Sequence, residues 1–276
     1  MYKDTIDTLS DAAKSKVEFL NNSLGKYLVS ASLAGAYIGL AVVLSFSLGA
    51  SFADVSSPLA SLLVGLSFGI ALVLIIFAGA ELFTGNNLFF TMSSLSGATS
   101  WGDAAKNWFW CYIGNFIGAS LFCVLILFSG IFSNISGDHF LMQVAANKMG
   151  LSTSELFFRG ILCNWLVCLA IWCTLRTKND AAKILMITWI LLTFIISGYE
   201  HSIANMAILG LALIHPSPDT ITLTGYFANL IPVTLGNIVG GTLFVGGLYW
   251  IISPVREKKE IAEEKLLVRK SVTSIK

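Results

Sequence analysis

Glu200 and His201 stand side by side within Ser197-Gly-Tyr-Glu-His-Ser-Ile-Ala-Asn-Met-Ala207, in the middle of an apolar stretch. A carboxylate at such depth can accept several N–H bonds, and an imidazole can donate a hydrogen bond, move a proton or sense pH. Adjacent residues diverge by about 100° on a helix, a poor geometry for shared metal or general-base work. No His-Glu-x-x-His pair, Gly-x-Ser-x-Gly elbow or paired Asp is read in the chain, so it is expected to be no enzyme, with no cofactor and no metal. Sixteen residues with one charge, Lys183, precede the pair in Ala182–Ser197, and Ile203–Ile214 follow without any. A bilayer-crossing helix needs ~20 residues, so the two flanks suffice only together. The pattern predicts one spanning helix broken in the middle, with Gly198 at the break and Ser202 or Asn205 capping the restart.

The same device occurs earlier. Gly79-Ala-Glu81-Leu-Phe-Thr-Gly-Asn86 shares the spacing G-x-E-x-x-x-x-N with Gly198-Tyr-Glu200-His-Ser-Ile-Ala-Asn205, and Gly114-Asn115-Phe-Ile-Gly118 is echoed by Gly236-Asn237-Ile-Val-Gly240. Paired Gly-interrupted apolar segments in corresponding halves point to a midplane substrate site. Freed backbone groups at a break survive only where they line a cavity or are buried in protein. Glu81 and Glu200 are therefore read as structural clamps that satisfy those N–H groups without touching substrate. His201, the one His within a span, is the candidate pore donor, with Thr84 facing it from the first break and the two second half-helices turning positive ends to the midplane. Asn164, deep in span four, must find a partner, and His201 is the expected one.

The elements follow from composition. Hydrophobic residues make up 55% and charged residues 12% of the 276, against ~25% charged in a usual globular protein, and mean hydropathy is +0.78. Between Tyr27 and Gly102 the only ionisable groups besides Tyr and Cys are Asp54 and Glu81. These numbers exclude a soluble protein and predict an all-α membrane protein. The five Cys all fall in apolar segments and are read as buried thiols. Residues 1–26 carry Ile6, Leu9, Ala13, Val17, Leu20 and Leu24 at steps of three and four, a cytoplasmic amphipathic helix along the membrane face and a candidate gate. The polar start shows no cleavable signal peptide. Residues 27–134 form a first three-span repeat, 135–254 a second, and 255–276 a cytoplasmic tail. The six spans are Tyr27–Ala53, Pro58–Leu95, Asn107–Ser133, Leu156–Leu175, Ala182–Ile214 and Gly225–Ser253. The Lys and Arg distribution places both termini in the cytoplasm, and three spans per half make the second repeat inverted. Lys148 is an external cation that this rule does not ask for, able to draw anions into an outer vestibule.

The motifs Ala80-Glu-Leu-Phe-Thr-Gly-Asn86, Arg159-Gly-Ile-Leu-Cys-Asn-Trp-Leu-Val-Cys-Leu-Ala170 and Ser197-Gly-Tyr-Glu-His-Ser-Ile-Ala-Asn-Met206 together resemble the formate/nitrite transporter family over nearly the whole chain. The resemblance implies an aquaporin-like six-helix protomer, a homopentamer with one pore per protomer, and membrane lipid plugging its fivefold axis. It implies small monovalent weak-acid anions, namely hydrosulfide, formate and nitrite, in a bacterial cytoplasmic membrane, with no nucleic acid. The family's pore His corresponds to His201, its loop Thr to Thr84 and its vestibule Lys to Lys148, sixteen residues before Asn164. Its apolar constrictions correspond to Phe68, Leu72, Leu82 and Phe194. Gly85-Asn86-Asn87 makes the chain most similar to the hydrosulfide branch. The expected function is a channel in which a small polar chamber binds the anion and His201 donates a proton or a charged hydrogen bond. The alternative is a proton-coupled formate or nitrite transporter.

Overall fold

A computed structural model describes residues 2–53, 59–133 and 135–255. Long apolar runs become helices, and local chemistry marks their ends. Ser100 with Asp103 starts α6 (Trp101–Ser129) as a capping box, and Ser152 with Glu155 starts α8 (Thr153–Thr174) the same way. The other long elements are α2 (Leu24–Ala53) and α11 (Leu223–Val239), the latter running through a π-helical stretch, Gly240–Gly247, into α12 (Leu248–Ile251). Among the described residues, five helices are long and apolar enough to cross a bilayer: Leu24–Phe52, Leu59–Gly79, Trp101–Ser129, Thr153–Thr174 and Leu223–Ile251. Their outer faces stay apolar, with Phe128 83%, Leu125 66% and Ile231 62% exposed, as a lipid solvent asks. The expected tail lies beyond Val255, outside the described residues, as does Pro58, the expected start of the second span.

Two interruptions organise the middle. Helices α3 (Leu59–Phe68) and α4 (Ile70–Leu74) continue into a π turn, Ile75–Gly79; the chain then runs extended through Ala80 and Leu82 before α5 (Phe83–Ser96) begins. Likewise α9 (Asp180–Ile196) ends, and α10 (Ser202–Ile214) starts after His201. Gly79 and Gly198 close the first members at φ of +79° and +68°, a region other L-residues enter only at a cost of ~1–2 kcal/mol.

Helices α2 and α6 pack closely, as do α8 and α11. A Cβ on Gly118 would overlap the Ser32 carbonyl, and one on Gly240 the Ile161 carbonyl, so each pair meets backbone to backbone. Short helices cover the interruptions: α1 (Lys3–Asn22) lies on α5, and α7 (Phe140–Met149), an element the sequence pattern did not reveal, on α10 and α2. The apolar stripe of α1 is spent on protein, since Ile6, Leu9 and Ala13 are fully buried.

Candidate functional site

The interruptions leave backbone groups without helical partners, and the structure accounts for them in duplicate. The Phe83 N–H donates to Asn115 Oδ1 at 2.9 Å, and the Ser202 N–H to Asn237 Oδ1 at 2.9 Å. Asn115 Nδ2 donates to the carbonyls of Ala31 and Glu81, both at 2.8 Å. Asn237 Nδ2 donates to those of Gly160 and Glu200, at 2.8 and 2.9 Å. Both amides are fully buried. The clamps are thus the asparagines of the Gly-Asn echo, not the two glutamates, whose carboxylates accept no backbone N–H among the described residues. A side-chain amide can donate and accept at once, which a carboxylate cannot, and the freed groups are of both kinds.

The carboxylates instead meet cations. Glu81 Oε1 accepts from Lys16 Nζ at 2.6 Å and Oε2 from Asn86 Nδ2 at 2.9 Å; Glu200 Oε1 accepts from Lys148 Nζ at 2.8 Å and Oε2 from Asn205 Nδ2 at 2.6 Å. Each second Asn donates onward, Asn86 to Asn107 at 2.9 Å and Asn205 to Asn229 at 2.8 Å. Lys148 is therefore not a free vestibule cation but half of a buried pair, with side-chain exposures of 17% and 2%. Lys16 is its unanticipated counterpart on α1, and it also sits 5.0 Å above the Phe89 ring.

Three cavities lie in sequence between these pairs. One of about 480 Å³ is lined by Lys16, Glu81 and Asn86 and reaches Leu72, Ile75 and Leu82. Another of about 280 Å³ is lined by Lys148, Glu200 and Asn205 and reaches Phe68, Phe194 and His201. Between them a chamber of about 10 Å³ touches both sets: Phe68, Phe194 and His201 on one side, Leu72, Ile75 and Leu82 on the other. The Phe68 and Phe194 rings meet edge-on at 5.7 Å, and Phe194 stacks on His201 at 6.2 Å. The expected polar chamber is in fact apolar: Ile38, Ala71, Val167 and Leu191 complete its wall, and His201 is its polar side chain. Glu81 and Glu200, expected to be shut away, line the flanking cavities.

His201 has two bonds that fix its tautomer. Its Nδ1 accepts the Ala204 N–H at 3.1 Å, making His201 the N-cap of α10 in place of Ser202 or Asn205. That nitrogen carries no proton, so Nε2 carries it and donates to Thr84 Oγ1 at 3.1 Å. Asn164 does not reach the imidazole. Its Nδ2 donates to the Thr84 and Asn237 carbonyls at 3.2 and 2.7 Å and to Asn87 Oδ1 at 3.0 Å, tying α5 to α11. The hydrolase elbow expected to be absent does occur as a pattern: Gly65-Leu-Ser67-Phe-Gly69 spells Gly-x-Ser-x-Gly. Its serine lies inside α3 and donates to the Val64 carbonyl at 3.0 Å, so no exposed nucleophile results.

A family model described as Formate/nitrite transporter matches residues 3–251. The chain is 43% identical over 264 residues to the nitrite transporter NirC of Salmonella typhimurium, covering 94% of each. It superposes on a solved FNT family ion channel with a TM-score of 0.87 at 40% identity, covering 91% of this chain and 100% of the other. On a pentameric formate channel with formate bound, the TM-score is 0.71 at 30% identity, with coverage of 84% and 98%. With several apolar helices around paired interruptions and a match along nearly its whole length, this multi-pass membrane protein belongs to the formate/nitrite transporter family.

Proposed function

We propose that the chain is a membrane channel for small monovalent weak-acid anions, with hydrosulfide favoured and formate and nitrite also carried. The observation that carries this reading is the order of the three cavities, a lysine–glutamate pair in each outer one and an apolar chamber between. In this reading α3–α5 and α9–α10 are two broken spans of a six-span, aquaporin-like protomer with an inverted repeat, and the protomers form a homopentamer with lipid on its axis. The α1 face and both termini are cytoplasmic in a bacterial cytoplasmic membrane, and the α7 face is external.

Each mouth offers the anion the ammonium of a lysine–glutamate pair, Lys148 with Glu200 and Lys16 with Glu81, as a charged hydrogen-bond donor held in place by its carboxylate. The apolar rings oppose a bare ion, whose desolvation is costly, and favour an ion that keeps a hydrogen bond as it passes. His201 assists as a neutral donor through Nε2, because charging it would require Nδ1 to give up the Ala204 cap. A chamber of about 10 Å³ accommodates roughly one water-sized solute. Hydrosulfide, with one heavy atom, displaces the walls least, whereas formate and nitrite, with three, push them further apart.

The alternative, a proton-coupled formate or nitrite transporter, draws on the same apolar wall, which passes the protonated acid more easily than the anion. Competitive uptake of formate, nitrite and hydrosulfide into proteoliposomes at two pH values, with membrane current recorded, separates the two. Current that follows the anion supports the channel; uptake with matched proton entry and no current supports coupling. In His201→Asn, which keeps a good N-cap but loses the ring, anion flux is expected to fall about tenfold, the loss of one hydrogen bond worth ~1–1.5 kcal/mol in the passing state. Flux unchanged across the pH range would overturn the role given to the imidazole.

A further inference from the structure

The two mouths differ by one fixed charge. The Glu81 N–H donates to the Ser30 carbonyl at 3.3 Å, and the Glu200 N–H to the Arg159 carbonyl at 3.3 Å, so Ser30 and Arg159 hold equivalent places in the two halves. Each lines its own mouth, Ser30 the α1-side cavity and Arg159 the α7-side cavity. The α1-side lining carries Lys16 and Glu81, one charge of each sign; the α7-side lining carries Lys148, Arg159 and Glu200, with one positive charge in excess.

The Arg159 guanidinium is loosely held. Nη1 donates to the Gly198 carbonyl at 3.4 Å, and Nη2 meets Glu155 Oε1 at 3.4 Å, with the side chain 37% exposed. Glu155 is occupied elsewhere, its Oε2 accepting from the Ser152 N–H at 3.0 Å and hydroxyl at 2.8 Å. The guanidinium, with five donors, keeps capacity for an incoming anion.

We propose that Arg159 is an anion-capturing residue of the α7-side mouth, giving that mouth a lower half-saturating anion concentration than the α1-side mouth. The proposal rests on the pore reading above. A passive pore must show equal permeability from both sides at infinite dilution, so the asymmetry appears in saturation and not in low-concentration flux. One unit charge about 10 Å from the anion, partly screened by water, shifts local occupancy roughly two- to fivefold, and at 0.1 M salt it is screened over about 10 Å.

The test uses the full chain in right-side-out and inverted membrane vesicles, clamped at zero potential, with labelled formate as the probe. Zero-trans uptake should half-saturate at a two- to fivefold lower concentration from the α7 face at low ionic strength, and the two faces should converge in high salt. Arg159→Gln should remove the difference by raising the α7-face value, while Arg159→Lys retains it. Glu155→Gln preserves the capping box and unmasks the guanidinium, so it should widen the difference and serves as a second reading should Arg159→Gln fail to fold. Equal half-saturation on the two faces of the wild type, an unchanged Arg159→Gln, or an Arg159→Lys that behaves like Gln would overturn the proposal, the last by reducing Arg159 to a brace for Gly198. Wild-type vesicles that take up no formate at all would overturn the pore reading and this proposal with it.

Discussion

The first interruption and the second are built on one plan and differ where it counts. Glu81 and Glu200, Asn86 and Asn205, Asn115 and Asn237 make the same bonds with the same kinds of partner. The N-cap position does not follow suit: it is Leu82 in one and His201 in the other. A leucine there closes the chamber with hydrocarbon; a histidine offers it an N–H. Thr84, two residues past its own cap, supplies the hydroxyl that meets the imidazole. Scaffold bonds have to be duplicated because both breaks free the same backbone groups, whereas the side-chain donor at the chamber occurs in the second break alone.

The comparison can be broken most forcefully at the lysines. Lys16→Met and Lys148→Met each leave a buried carboxylate without its cation, at a cost on the order of 3 kcal/mol. Both variants should lose thermal stability in detergent by similar amounts, and Glu81→Gln or Glu200→Gln in the same chain should recover part of it. If only one variant is destabilised, the pairs are not equivalent.

Asn115→Leu and Asn237→Leu probe the duplicated clamps. Each strands one buried N–H and removes a donor from two carbonyls, for about 2–3 kcal/mol. Matching losses in detergent melting are expected, and a gap beyond ~1 kcal/mol would show that the equivalent bonds carry unequal weight.

The gentlest probe is Gly79→Ala against Gly198→Ala. Both should cost about 1 kcal/mol through the left-handed backbone alone, with Asn at either site costing less than Ala. Cβ atoms meet open space at Gly79 and the Arg159 Nη1 at 3.7 Å at Gly198, so any excess at Gly198 measures the guanidinium contact.

Much of this plan was legible because spacing survives in sequence. The shared G-x-E-x-x-x-x-N placed both interruptions, and the Gly-Asn echo marked the helices that hold them, though not the bonds its asparagines make. What the asparagines do depends on contacts 32 and 35 residues away, and no local pattern encodes that. Lys16 had a signal that went unread. It falls in the stripe Ile6, Leu9, Ala13, Lys16, Leu20, spaced 3, 4, 3 and 4, so a charge sits on the buried face of an amphipathic helix. Counted as an orientation charge, it lost its meaning as a site. The chamber's dryness was illegible for another reason. Its wall draws Ile38, Val167 and Leu191 from three helices, none distinguishable by type from any lipid-facing residue.

The asparagine clamps also constrain how this chain can be made. The donor freed at Phe83 is answered by an amide that leaves the ribosome 32 residues later, and the one at Ser202 by an amide 35 residues later. Until that next helix arrives, the half-made crossing holds a bare polar group that hydrocarbon will not tolerate. In the six-span reading, biosynthesis should therefore deliver each half to the lipid as a cluster of three segments, released from the insertion machinery together and not one at a time.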